Sequence, residues 1–97
     1  MVVDEGARRA LVEREASLLS AGVLRAEGAF QSDDAVELAG EDGSVFAKGI
    51  TRLGSSRSSE WVGKKTAELP SGLGSVVVHR DDLVILSAGE GRSGSIS

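Results

Sequence analysis

The chain has 97 residues, no cysteine, 13 glycines, a single proline and a formal net charge of −4, from 11 bases and 15 acids. A chain this short makes one domain, holds neither disulfides nor thiolate metal sites, and lacks the overall basic balance of a generic nucleic-acid binder. No apolar run approaches the roughly 18 residues of a membrane span, and an acidic pair and a glycine interrupt the opening MVVDEGARRA too early for a signal peptide.

In chain order, Val2-Val3 is a short extended piece. Asp4 is an N-cap for a helix from Glu5 to about Ala16, with Ala7, Ala10, Leu11 and the stem of Arg14 on one face. SLLSAGV breaks that helix, and Gly22 offers a positive φ before the next strand. Val23 to Phe30 reads as a strand with a bend at Gly28. QSDD is a turn, Ala35 to Leu38 alternates as a strand, and Asp42-Gly43 is a hairpin signal joining it to Val45–Leu53, with Gly49 at a bend. Ser58 or Ser59 caps a short helix carrying Trp61, and a second turn runs from Thr66 to Leu69, stopped by Pro70. Val76–Val78 and Leu83–Leu86 are strand-like runs separated by His79, Arg80, Asp81 and Asp82, four polar residues that predict a closing hairpin. SAGEGRSGSIS is a Gly/Ser-rich tail expected to be flexible. The predicted architecture is mainly β with α. It is a small pseudo-barrel of about five to six strands with one main helix and short helical turns, over residues 1–86, followed by the tail over 87–97.

The sequence offers little chemistry. His79 is the single histidine, and a general base needs a partner in reach and an orienting group. Asp81 and Asp82 are near it in sequence, but in a tight loop they bond turn backbone, so the quartet reads as a bend. No phosphate-loop or nucleophile-elbow pattern is present, and no catalytic, cofactor or metal residue is assigned. Charge is unevenly spread. Lys48, Arg52, Arg57, Lys64 and Lys65 outweigh Glu60 for a local +4, while Glu27 to Asp42 holds six acids and no base. The five bases are the candidate contacts for RNA, an anion or an acidic partner, against the plainer reading of a solvated loop. Trp61, with Val62 and Leu69 near it, reads as the anchor of its helix on the core, with base stacking as the alternative.

Taken together, DEGARRALVEREASLLSAGV, AKGITRLGSS and VVVHRDDLVIL resemble the C-terminal PUA domain of the bacterial glutamate 5-kinase family, a fold named after pseudouridine synthases and archaeosine transglycosylases. The resemblance covers Val2 to Leu86. It rests on Asp4, Gly6 and Ala7 at the helix start; Ser17, Leu18, Leu19, Gly22 and Val23 in the loop after it; Ala47, Lys48 and Gly49; and His79 through Val84 at the end. Departures fall at Ser20, where the pattern has proline, and at Glu15 and Asp33, where it has glycine. The segment after Thr51 is rewritten as RLGSS.

The resemblance implies an accessory or regulatory role beside a kinase domain, in cis or in trans. That domain phosphorylates glutamate from ATP with magnesium at the first step of proline synthesis, and none of its catalytic residues maps onto this chain. It also implies structured RNA as a partner, as for PUA domains elsewhere. A stand-alone protein-interaction domain is the third reading. The lack of cysteine fits a cytoplasmic location, and no membrane partner is expected.

Overall fold

Helix α1 starts where the Asp4 carboxylate accepts the backbone N–H of Ala7 at 2.7 Å, and it runs Glu5–Arg14. It is flanked by β1 (Val2–Val3) and β2 (Leu18–Leu19). A 3₁₀ turn, Ser20–Gly22, leads into β3 (Val23–Arg25). Then follow β4 (Ala35–Ala39) and β5 (Val45–Thr51), a 3₁₀ turn Ser55–Arg57, the four-residue α2 (Ser58–Trp61), a 3₁₀ turn Thr66–Glu68 and β6 (Val76–Ile85). This computed structural model describes residues 1–86, and the tail expected over 87–97 lies outside them.

One six-stranded sheet runs in the order β2-β6-β5-β4-β1-β3. Its terminal strands, β2 and β3, are separated in sequence only by the turn Ser20–Gly22, so the sheet curls into a nearly closed barrel. All ladders are antiparallel except β1 against β4. Inside are Val3, Leu11, Leu18, Val23, Leu38, Phe46, Ala47, Leu53, Trp61, Val77 and Val78, and Trp61 is its largest fully buried side chain. Leu11 is the only residue of α1 that is fully buried; Ala7 and Ala10 are half-buried and Arg14 is exposed. On the same helix Arg8 lies 5.6 Å above the Phe46 ring, a cation–π contact that fastens α1 to β5.

The Asp42-Gly43 hairpin forms as predicted, with Gly43 at φ 85°. The closing hairpin does not. Val76–Ile85 is a single ten-residue strand. Both of its apolar runs pair with the same strand: Val78 lies opposite Thr51, and Leu83, Val84 and Ile85 lie opposite Gly49, Lys48 and Ala47. Between Thr51 and Gly49 β5 advances two residues while β6 advances five, so His79–Asp82 is a bulge thrown outward. Two of its backbone N–H groups bond side chains in place of the ladder. The Arg80 N–H donates to Ser17 Oγ (2.9 Å) and the Asp81 N–H to His79 Nδ1 (3.1 Å).

Gly49 makes the bulge sterically feasible. A Cβ there would stand 2.7 Å from both the Asp82 carbonyl oxygen and Val78 Cγ1. Gly22 is likewise fixed by close approach, since its Cβ would meet that of Ala7 at 2.6 Å; the positive φ expected there is not found. Helix and strand ends also differ from the prediction. β3 stops at Arg25 because its partner β1 offers only two residues, and β5 stops at Thr51, whose Oγ1 turns the chain by bonding Leu53. The start of α2 has no serine cap; Arg57 occupies that position.

Helix α1 stops two residues early, because Glu15 enters the left-handed region at φ 54° and ψ 38°. Asp33, in the turn before β4, has φ 75°. These are the two positions where the resembled pattern carries glycine. The backbone has kept the glycine conformation after the residue changed, at a steric cost to each side chain. Glu15→Gly and Asp33→Gly are each expected to raise unfolding free energy by about 0.5–1 kcal/mol, read by urea titration. Gly49→Ala is expected to lower it by about 1–3 kcal/mol through overpacking against backbone that has little room to move. An unchanged denaturation midpoint in Gly49→Ala would disprove the close crossing.

Candidate functional site

Two loops face each other across an open concavity. One, residues 26–34, connects β3 to β4; the other, residues 52–57, leaves β5 toward α2. Three bonds lock Phe30 to Ser55: the Ser55 N–H and Oγ–H donate to the Phe30 carbonyl (2.9 and 3.0 Å), and the Phe30 N–H donates to Ser55 Oγ (2.9 Å). The Asp33 N–H to Thr51 carbonyl and Thr51 N–H to Asp34 carbonyl bonds, 2.6 and 2.9 Å, hold the far end. The resulting cleft encloses about 830 Å³, within the range of small-ligand sites.

Trp61 and Leu53 are buried at its floor, with Leu73 half-buried beside them. The Trp61 indole N–H donates to the Gly54 carbonyl at 3.1 Å, so the ring is fixed by packing and by its single polar atom. The core-anchor reading of Trp61 therefore holds, and its buried face is unavailable for stacking on a base.

Of the five candidate contact residues, Arg52 and Arg57 line this cleft. Lys48 lies elsewhere, exposed on β5 between Glu37 of β4 and Val84 of β6. Lys64 and Lys65 follow α2. The Lys64 carbonyl accepts the Ser20 hydroxyl (2.7 Å), and the Lys65 N–H donates to Glu68 Oε1 (2.7 Å). Among the described residues no three His, Asp or Glu side chains are grouped to hold a metal, and none of the helices is long and apolar enough to cross a membrane. His79 lies in the β6 bulge, with Nδ1 3.5 Å from the Asp81 carboxylate.

Sequence reasoning did not find the Phe30–Ser55 lock or the buried hydroxyls of Ser20 and Thr51. In a run as serine-rich as GSSRSS, nothing marks Ser55 as the one that bonds a residue 25 positions away.

Of the two arginines that line the cleft, Arg57 is held in an ion pair. Arg57 Nε and Nη2 both donate to Glu60 Oε1, at 3.0 and 2.6 Å. Those bonds hold the Glu60 carboxyl below its ordinary pKa and raise that of Arg57. Glu27 is lowered in the same way by Arg25, and Asp42 by the backbone N–H and hydroxyl of Ser44. A carboxylate whose pKa is lower folded than unfolded stabilises the fold above the unfolded value, and the contribution is lost as pH falls through the folded value. Melting temperature is therefore expected to fall as pH drops from about 5 through the carboxylate range, with a shallower fall in Glu60→Gln. These groups are exposed, so the effect is small and shrinks with added salt.

Comparison with known proteins agrees with this architecture. A family model described as the PUA domain matches residues 1–73. The chain is 42% identical over 88 residues to glutamate 5-kinase of Mycobacterium tuberculosis, covering 91% of this chain and 23% of that protein. It is 42% identical over 90 residues to glutamate 5-kinase of Streptomyces avermitilis, covering 89% and 24%. It thus spans about a quarter of the length of the curated relatives it matches, and it is homologous to their C-terminal region. A crystal structure of a PUA domain from Aeropyrum pernix K1, in complex with tartrate, superposes with a TM-score of 0.63 at 26% identity, covering 80% of this chain and 39% of that one. With the strand order, the covering helix and the family match in agreement, the chain belongs to the PUA domain family.

Proposed function

We propose that the chain is a non-catalytic accessory and regulatory domain that works with a glutamate kinase domain, in cis or in trans. The observation that carries this is the match to glutamate 5-kinase, 42% identical over 88 residues yet confined to 23% of that protein. The phosphoryl-transfer machinery belongs to the remaining part. Transfer from ATP needs a phosphate grip and acidic side chains that hold magnesium. ATP and magnesium are accordingly assigned to the kinase domain, whose product enters proline synthesis in the cytoplasm.

A second reading, binding of structured RNA, draws on the PUA family and on the local +4 between Lys48 and Lys65. It has the weaker footing. Arg57 spends two of its donors on Glu60, and Lys48 faces Glu37 across the β4–β5 ladder. RNA bound through these cations would show affinity falling steeply with salt.

The test is a domain exchange. The matched 88-residue stretch of the Mycobacterium tuberculosis glutamate 5-kinase is either deleted or replaced by this chain, and glutamate-dependent ATP consumption is measured. The exchange is expected to restore the parent's glutamate saturation curve where the deletion does not, and this chain alone is expected to consume no ATP. Unaided phosphorylation of glutamate by the chain, or an exchange indistinguishable from the deletion, overturns the proposal. Salt-sensitive retention of transfer RNA by a chain that fails the exchange would favour the second reading.

A further inference from the structure

We infer that the cleft between the β3–β4 and β5–α2 loops is a binding site for a small monocarboxylate with an apolar body. Three features of the cleft lead there. Its walls are set in advance, because the Phe30–Ser55 lock and the Asp33–Thr51–Asp34 backbone bonds join them without a ligand. Little ordering cost then remains to be met on binding. Its floor is apolar: the half-buried Phe30 and Leu73, with the edge of Leu53 that stays exposed, face the opening, over the fully buried Trp61. Its lining includes Arg52, which forms no ion pair among the described residues, whereas Arg57 is engaged by Glu60.

A guanidinium with unspent donors beside an apolar floor matches a carboxylate joined to a hydrocarbon or aromatic group, since the planar fork of arginine takes carboxylate oxygens in pairs. The hydrophobic floor takes the rest of the molecule.

Charge also limits the ligand. Asp34 lines the same cleft, its carboxylate accepting the Gln31 N–H at 2.8 Å. With Arg57 neutralised by Glu60, Arg52 and Asp34 leave no surplus of positive charge, so a polyphosphate or nucleic-acid backbone is poorly matched. One carboxylate that displaces water from Arg52 and turns away from Asp34 is accommodated.

Trp61 is the only tryptophan of the chain and lies directly beneath the cleft floor, so its fluorescence responds to changes in the packing above it. The full 97-residue chain is titrated with cyclohexanecarboxylate, with cyclohexylmethanol as the uncharged counterpart and inorganic phosphate as the anion without an apolar body. Amide chemical shifts are followed alongside the fluorescence. Cyclohexanecarboxylate is expected to saturate with Kd of about 1 mM or below, a modest affinity in keeping with an open site. Shifts should concentrate at Phe30, Arg52, Leu53 and Ser56. The alcohol and phosphate should each bind at least about tenfold more weakly, the equivalent of one charge-assisted hydrogen bond. Arg52→Gln should weaken the carboxylate about tenfold with an unchanged melting temperature, and Arg52→Lys should fall between, keeping the charge without the fork. The proposal is overturned by a carboxylate titration that does not saturate, by equal binding of phosphate or the alcohol, by an Arg52→Gln variant that titrates like the parent, or by shifts centred away from the cleft.

Discussion

The crossing of β6 over Gly49 is the contact on which the rest of the sheet depends. A hydrogen in place of a side chain lets the Asp82 carbonyl and Val78 come within 2.7 Å of where a Cβ would be. That lets one strand pair with β5 at both ends while its middle bulges outward. The first part of β6 then reaches β2, with Leu18 opposite Val78 and Leu19 opposite Val76. The end of α1 and the beginning of the barrel wall are thereby tied to the last strand. Arg52 is set by the same strand, its N–H donating to the Val77 carbonyl at 2.7 Å. The cleft and the sheet closure therefore share one cause.

Much of this was legible in the sequence where a local signal has one physical meaning. Asp4 can only cap, Asp42-Gly43 turns a hairpin, and Trp61 with apolar neighbours anchors a short helix. The closing stretch was not legible, because apolar–polar–apolar is the same pattern for a hairpin and for a strand with a bulge. The two differ in which strand the flanks pair with, and that is a long-range property. Gly49 was the available clue: a glycine inside an alternating strand marks a close backbone approach as well as a bend. The cleft was half legible. Arg52 and Arg57 stood out by charge, but the opposing wall from Ala29 to Asp34 is joined to their segment by contacts between residues far apart in sequence, 25 positions for Phe30 and Ser55.

The departures from the family pattern have differing physical content. Glu15 and Asp33 occupy backbone conformations suited to glycine, so those changes carry strain. Ser20, where the pattern has proline, has gained partners instead. Its N–H donates to the Ser75 carbonyl (2.8 Å), its carbonyl accepts the Gly63 N–H (3.0 Å), and its hydroxyl donates to the Lys64 carbonyl. Proline would lack both the N–H and the hydroxyl. This buried serine joins the turn after β2, the segment after α2 and the entry to β6, a three-way junction that the rewritten loops of this chain now share.

The outer end of β6 has a further consequence. Only its first three residues pair with β2, and no strand among the described residues borders the other side of Leu83–Ile85. Val84 is 56% exposed and Leu86 39%. An open, β-branched border of this kind is a template for unwanted strand addition and fibril growth. Asp81 and Asp82 stand immediately before it and Lys48 beside Val84, charges that an incoming strand would have to desolvate. The bulge that shapes the barrel thus also supplies its gatekeepers, and the colloidal behaviour of this domain is tied to the same four polar residues that divide its last strand.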